Sequence, residues 1–327
     1  MHSPVLKLSH IKQPIAAEMQ TFEGRFREAM RSKVALLDRI TYYIAHRKGK
    51  QMRPMFVLLS AKLLGQINDS TYTAASMVEL LHTGTLVHDD VVDDSDKRRG
   101  FFSINALWKN KAAVLVGDYF LSKGLLIALQ SEEYKLLQIL TEAIKKMSEG
   151  ELQQMAKARK MNIDEETYYE VIQKKTASFF AAACTAGAAS VCDDQDALDK
   201  VHRFGELIGM AFQVKDDLFD YGQKKLGKPI GIDIKEKKMT LPLIYALQQG
   251  TSAERRHIIY LVKNRTHKMK YVQEVIDFAI EKGGLTYATS KMNAFRGEAL
   301  ELLHTFEENE ARLALEQLIM FVTERSK

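Results

Sequence analysis

Proline is scarce here, five in 327 residues. That is too few to punctuate a many-stranded protein, and long helices avoid so small a number easily. Cysteine is scarcer still. Cys184 and Cys192 lie in a small-residue stretch with neither CxxC nor Cys/His metal spacing, so the chain reads as a reduced cytoplasmic protein with buried thiols. The start, Met1-His2-Ser3-Pro4-Val5-Leu6-Lys7, lacks the continuous apolar core of a signal peptide. The most apolar run, 177–192, is slightly short for a membrane span and reads as a fully buried helix, so no transmembrane segment is expected. The net charge of +5 is spread without a long basic run, which gives no nucleic-acid signature. A GxxxxGK[ST] loop is absent, leaving nucleoside triphosphate chemistry unsupported. Sustained period-two alternation, a βαβ rhythm, solenoid repeats and low-complexity linkers are absent as well.

What remains is helical spacing and an ordinary soluble composition, 46% hydrophobic and 27% charged. The expected fold is all-α, a single domain over 1–327. Apolar residues recur every three or four positions over about 14–46, beginning with Ile15, Met19 and Phe22. Gly49 and Pro54 bracket a basic corner, and Pro54 suits the first turn of the next helix. Further helices are expected at 71–94, 103–108, 112–130 and 134–158, then after an Asp164 cap, and from about 195 to 220. Residues 227–233 read as a loop, and Leu241-Pro242-Leu243 opens another helical region. Helices at about 252–264, 270–282, 284–305 and 308–325 finish the chain.

One stretch is unusual: His88-Asp89-Asp90-Val91-Val92-Asp93-Asp94 places four carboxylates in six residues at the end of an apolar helix. On a helix, Asp89 shares a face with Asp93 and Asp90 turns toward Asp94. Aligned carboxylates are hard oxygen ligands, of which Mg²⁺ takes one or two beside waters and phosphate oxygens. Alone, such a box reads equally well as a solvated helix end. Asp216-Asp217-x-x-Asp220 repeats it at the end of a second apolar helix. Two such boxes facing each other would need divalent cations, which would in turn bind a diphosphate.

The cations divide into two groups. Lys50, Arg53 and Arg99 form one candidate anion site; Arg98, Lys175, Lys228 and Lys238 form a second around the metal-bound diphosphate. Any one of them alone is ordinarily a surface charge. His82 lies two turns before Asp89 on roughly the same face, where a core histidine is the commoner reading.

With these residues in place, the chain resembles the trans-polyprenyl diphosphate synthases, octaprenyl-type long-chain members in particular. The resemblance is carried by Gly49 to Pro54, His82, Asp89 to Asp94, Arg98-Arg99-Gly100, Lys175-Thr176, Phe212-Gln213, Asp216 to Asp220 and Gly227 to Pro242. It implies the isoprenoid synthase fold, a single large bundle of antiparallel helices around a central cavity. It implies condensation of isopentenyl diphosphate onto an allylic diphosphate of farnesyl or geranyl type. Asp89, Asp93 and Asp216 become the expected ligands of a Mg²⁺ cluster, about three ions per site, with Asp90, Asp217 and Asp220 supporting them. Lys50, Arg53, His82 and Arg99 resemble the isopentenyl diphosphate site. Arg98, Lys175, Lys228 and Lys238 resemble the allylic one, with Thr176 and Gln213 lining the reacting centre. Family members are mostly homodimers, and an apolar product implies transient membrane contact. Three positions depart from the family's pattern: Lys48 and Lys237 replace glycines, and Gln51 replaces an arginine.

In this family the product grows along the helix of the first box. Gly84 and Thr85, one turn before Asp89, are small where short-chain enzymes carry an aromatic ring. Leu81 lies one turn further down, and Leu140 or Tyr119-Phe120 from neighbouring helices are candidates for the floor. The implied product is around octaprenyl length, of the kind used as a quinone side chain. If Gly84 instead serves close helix packing, that gate disappears. A short-chain farnesyl or geranylgeranyl synthase and a non-catalytic subunit of a heteromeric synthase remain as alternatives. A class I terpene cyclase fits less well, because the second box is again DDxxD and cyclases lack the second anion site.

Overall fold

The computed structural model describes residues 7–46, 49–98, 100–160, 164–222 and 231–324. In chain order the helices are α1 (Leu8–Ile11), α2 (Ala16–Met30), α3 (Ala35–Ala45), α4 (Met52–Leu64), α5 (Asp69–Val92), α6 (Ile104–Gln130), α7 (Tyr134–Lys160), α8 (Glu165–Ile172), α9 (Ser178–Ala189), α10 (Gln195–Phe219), α11 (Ile232–Lys235), α12 (Leu241–Gln249), α13 (Ser252–Asn264), α14 (Met269–Glu281), α15 (Gly284–Leu303) and α16 (Glu310–Glu324). The all-α expectation holds. Among the described residues, strand is confined to β1 (Lys97–Arg98) and β2 (Phe101–Phe102), an antiparallel pair with Arg98 opposite Phe101.

Contacts group the chain into two compact units. The first comprises Met1–Ile144, Ala182–His202 and Glu307–Leu315; the second comprises Lys145–Ala181, Arg203–Phe306 and Glu316–Lys327. In the first, α4 is buried without interruption from Pro54 to Ala61, which explains its lack of a polar face. Gly187 of α9 lies against it so closely that a Cβ there would stand 2.1 Å from the Val57 carbonyl oxygen. α5 begins with a capping box between Asn68 and Thr71, which satisfies the helix's first free N–H groups. α5 and α6 then pack along their length. In the second unit, α8, α10, α12, α14 and α15 enclose a core that includes Tyr168, Val214, Leu243, Val272, Ile276 and Ala288.

The helical spacing read over about 14–46 falls on two helices, α2 and α3. Arg31 is extended, and the Asp38 carboxylate and Ser32 hydroxyl accept the N–H groups of Ser32 and Val34, so side chains replace the helical bonds there. Two helices were expected over 103–130, and Lys109 (φ 72°, ψ 161°) breaks α6 between them. Asp164 caps α8, accepting the Thr167 N–H at 2.9 Å. The end of the expected loop at 227–233 holds α11, whereas 223–230 lie outside the described residues. α6 is long and apolar enough to cross a membrane by length and composition, and a third of its most apolar window is buried.

Candidate active site

The first box closes α5. Asp93 N–H donates to the Asp89 carbonyl at 2.8 Å, so these two residues stand one helical turn apart. Asp94 then takes a left-handed conformation (φ 48°), while Ser95 N–H reaches back to the Asp90 carbonyl at 2.9 Å. This is the Schellman way of ending a helix, with aspartate in the place glycine usually takes. Asp94 therefore leaves the helix before it can stack on Asp90, contrary to the expected pairing. Asp90 turns inward instead: it is 4% exposed, and its Oδ1 accepts the Arg98 Nε–H at 2.6 Å. Burial raises the Asp90 pKa and the Arg98 guanidinium opposes that rise. Arg98, expected at a diphosphate, thus also holds the first box from β1.

A cavity of about 280 Å³ opens beside this helix end in the first unit. Gly49 and Gln51 line it from the basic corner, His82 and Asp90 from α5, and Arg98 and Phe101 from the hairpin. Gln51 caps α4 in a left-handed conformation (φ 51°). Lys50 is exposed and Arg53 half-buried at the same corner, while Arg99 lies outside the described residues.

The second box closes α10. Asp216 is exposed, whereas Asp217 and Asp220 are 4% and 8% exposed. Asp217 accepts the Tyr168 hydroxyl at Oδ2 (2.6 Å) and the Gln213 amide N–H at Oδ1 (2.8 Å). Burial first, and then the charge of Asp233, push Asp217 up to about 8. Asp220 accepts the backbone N–H groups of Ile232 (2.7 Å) and Asp233 (3.1 Å), capping α11 across the intervening loop. This bond brings Asp233 to the second box, where burial and the Asp220 charge raise it to about 6. Lys238 lies 2.6 Å from Glu236 and 3.9 Å from Asp233. Lys228 is outside the described residues.

Lys175 and Thr176 sit in a single π-helical turn, Gln173–Ala177, inserted between α8 and α9. Such one-residue insertions re-aim side chains and recur at functional sites. Here Thr176 donates to Gln213 Oε1 at 2.8 Å, while Lys175 pairs with Glu151 and reaches Gln154 Oε1 at 3.3 Å. The reading from sequence missed Tyr168, Asp233 and Glu151. Tyr168 and Glu151 gave no local signal, and Asp233 stood two residues past Gly231 in a stretch read only as loop.

The six box carboxylates thus separate by environment. Asp90, Asp217 and Asp220 are buried and bonded to protein donors, whereas Asp93 and Asp216 are exposed and Asp89 is half-buried. Among the described residues, no three His, Cys, Asp or Glu side chains cluster as a ready-made metal cage. Paired carboxylates that leave coordination positions for water and phosphate suit Mg²⁺ better than a metal needing a closed protein cage. The donor set fits Mg²⁺.

The level below the first box differs from expectation. Gly84 faces α6, and a Cβ added there would lie 3.0 Å from the Gly117 carbonyl oxygen and 3.2 Å from Leu121. Its smallness lets α6 approach this closely, which favours the packing alternative over an open gate. Leu81 is fully buried and meets Gly124 of α6 in the same seam. Thr85 is half-buried and donates to the His82 carbonyl at 2.9 Å, and Leu140 of α7 is fully buried.

Comparison with known proteins supplies the frame for this geometry. Residues 34–279 match the family model for polyprenyl synthetase. Octaprenyl diphosphate synthase of Haemophilus influenzae is 33% identical, with 98% of each chain covered. A solved polyprenyl synthase of Caulobacter crescentus, in complex with calcium and isoprenyl diphosphate, superposes with a TM-score of 0.92 at 31% identity. That alignment covers 99% of this chain and 100% of the other. A geranylgeranyl pyrophosphate synthase of Bacteroides thetaiotaomicron is 37% identical with a TM-score of 0.84, covering 97% and 99% of the two chains. The acidic helix ends, the π-helical turn and the full-length match together make this chain a prenyltransferase of the polyprenyl synthetase family.

Proposed function

We propose that the protein is a Mg²⁺-dependent trans-prenyltransferase, one domain over its whole length. It condenses isopentenyl diphosphate repeatedly onto an allylic diphosphate, of farnesyl or geranyl type, to give an all-trans product around octaprenyl. The observation that carries the metal assignment is the division of the box carboxylates. Asp90, Asp217 and Asp220 are buried against protein donors, whereas Asp93 and Asp216 are exposed and Asp89 half-buried, and the three that reach solvent are the ones assigned to hold the ions. Bound Mg²⁺ supplies charge neutralisation on the departing diphosphate. Arg98, Lys175, Lys228 and Lys238 hold that diphosphate; Lys50, Arg53, His82 and Arg99 hold the isopentenyl one. The Thr176 hydroxyl and the Gln213 amide offer dipoles to the allylic cation. The proton lost at the end passes to released diphosphate, so no protein base is assigned.

The long product rests on the similarity to octaprenyl diphosphate synthase and on the small Thr85. A geranylgeranyl-length product is the second reading, favoured by the 37% identity to the Bacteroides enzyme and by the packed Gly84. With both boxes intact, a non-catalytic subunit is the least supported reading. The proposal extends to a cytoplasmic homodimer that touches a membrane when its product leaves. The exposed apolar side chains of α6, Leu115 (68%) and Leu129 (48%) among them, support a second copy docking there. The deciding experiment incubates the protein with Mg²⁺, farnesyl diphosphate and labelled isopentenyl diphosphate, then sizes the dephosphorylated product. Octaprenol supports the proposal and geranylgeraniol supports the second reading. No incorporation, or a cyclised product, overturns both.

A further inference from the structure

Three hydrogen bonds in the second unit converge on Asp217 from two sides. Thr176 Oγ1 donates to Gln213 Oε1 at 2.8 Å, Gln213 Nε2 donates to Asp217 Oδ1 at 2.8 Å, and Tyr168 Oη donates to Asp217 Oδ2 at 2.6 Å. An ionised carboxylate only accepts, so in that state Asp217 turns the Gln213 amide with its nitrogen inward and its oxygen toward Thr176, as the structure has it. That oxygen takes the single proton of the Thr176 hydroxyl. What Thr176 then offers to anything else is its oxygen lone pairs. The polarity at half-buried Thr176 is set at the fully buried end of the chain.

Tyr168 is the fixed end of this chain. It is 4% exposed, belongs to the core of the second unit, and sits on α8, one turn of which leads directly into the π-helical turn holding Thr176. Its hydroxyl engages one oxygen of Asp217 so that the other faces Gln213. Without that bond the Asp217 carboxylate can rotate, and the Gln213 amide and Thr176 hydroxyl lose their enforced direction. A tyrosine buried merely for packing behaves differently: Tyr221, 3% exposed, bonds Thr240 at 2.6 Å, and the chain of bonds does not pass through it.

Resting on the prenyltransferase reading, we infer that Tyr168 is a positioning residue that locks Thr176 as an electron-rich dipole toward the developing allylic cation. Tyr168 acts through Asp217 and Gln213 and touches no substrate. Removing its hydroxyl leaves the diphosphate sites in place and weakens only the stabilisation of positive charge, a transition-state effect.

The test is Tyr168→Phe, which keeps the ring and deletes the hydroxyl, compared with Tyr221→Phe. Tyr168→Phe is expected to lower kcat about tenfold with KM for both diphosphates within about twofold, whereas Tyr221→Phe leaves kcat unchanged. Calorimetry supplies a readout without turnover. Binding of an ammonium analogue, with a positive nitrogen where the cation forms, weakens about tenfold in Tyr168→Phe, while binding of a thiolodiphosphate counterpart that lacks the positive nitrogen does not change. In a Thr176→Val background, or with Gln213→Met, the further loss on Tyr168→Phe disappears, because the chain is already cut. Additive losses, equal weakening of both analogues, or a kcat matching wild type each overturn the inference. Thermal unfolding of each variant reports the fold separately. A wild-type protein that transfers no prenyl group defeats the prenyltransferase reading itself, an outcome distinct from any failure in the variant.

Discussion

The His88 ring of α5 occupies the space a side chain at Gly117 of α6 would need: a Cβ built on Gly117 would lie 2.2 Å from His88 Nε2. His88 is held there, with Nε2 3.1 Å from the Val114 carbonyl oxygen and 3.3 Å from Asp118 Oδ1. Asp89 is the next residue, so the ring seats on Gly117 directly beside the first box. Gly117→Ala is expected to displace His88 and destabilise the protein by about 1–3 kcal/mol, the usual cost of overpacking. Turnover falls with it as Asp89 shifts. Denaturant unfolding and the prenyl-transfer assay check both, and a variant with wild-type stability and rate would show that the ring moves aside freely.

The same seam decides a question of product length. Gly84 faces the Gly117 carbonyl, so Gly84→Tyr should wreck the packing of α5 on α6, with loss of soluble protein or of more than about 2 kcal/mol of stability. It should not yield a folded enzyme with a shorter product. Thr85 lies about 100° further round the helix, away from that contact. Thr85→Phe is expected to fold and to shorten the product, as read by chromatography of dephosphorylated prenols. An unchanged product length in Thr85→Phe removes this position from length control.

How much of this was legible beforehand depended on range. Helix limits and the Asp164 cap follow from local spacing, and the two acidic boxes are contiguous motifs that announce themselves. The fate of individual carboxylates was less visible. Asp90 and Asp94 looked alike on a helical wheel until the chain ended the helix between them and Arg98 returned from the hairpin. Asp220 and Asp233 are joined across a loop, a contact that periodicity cannot encode. The π-helical turn adds one residue to a helix and leaves its apolar pattern almost unchanged, so Thr176 was named without its orientation. Gly84 shows the limit most clearly: a small residue permits either an open passage or a close neighbour, and only the position of α6 distinguishes them.

Gln51 stands where the family's pattern has arginine, and it lines the cavity beside His82 and Arg98. Restoring the guanidinium adds a bidentate donor for a diphosphate. Gln51→Arg is expected to lower KM for isopentenyl diphosphate several-fold while kcat stays within about twofold, a ground-state binding effect. A KM that does not fall would show that this corner faces away from the bound diphosphate.

The metal assignment predicts a contrast between two kinds of aspartate. Asp89→Ala and Asp216→Ala should abolish Mg²⁺-dependent turnover with little change in stability, because these side chains are half-buried or exposed. Asp220→Ala should lose about 1–2 kcal/mol of stability besides activity, because its carboxylate caps α11. Unfolding curves and rates measured over a Mg²⁺ titration separate the two. Near-normal turnover in Asp89→Ala or Asp216→Ala would sink the assignment.

Acidity gives a last test that needs no substrate. Burial raises Asp233 to about 6 and Asp217 to about 8, against 3.8 for an ordinary aspartate. Between those limits the folded, metal-free protein holds protons that the unfolded chain has released, so stability falls as pH rises. The contribution is complete below 3.8, declines through about 6 as Asp233 ionises and through about 8 as Asp217 ionises, and is level beyond. In EDTA the unfolding midpoint is therefore expected to drop by several degrees from about pH 5 to about pH 9. Asp217→Asn, neutral throughout, flattens the decline between about 6 and about 8 and roughly halves its slope below that, where Asp233 still contributes. Mg²⁺ near the second box favours the ionised carboxylates, so its stabilising effect grows over the same interval. A midpoint in EDTA that rises with pH, or a Mg²⁺ effect that shrinks, would mean that these buried carboxylates are already ionised in the folded protein at low pH.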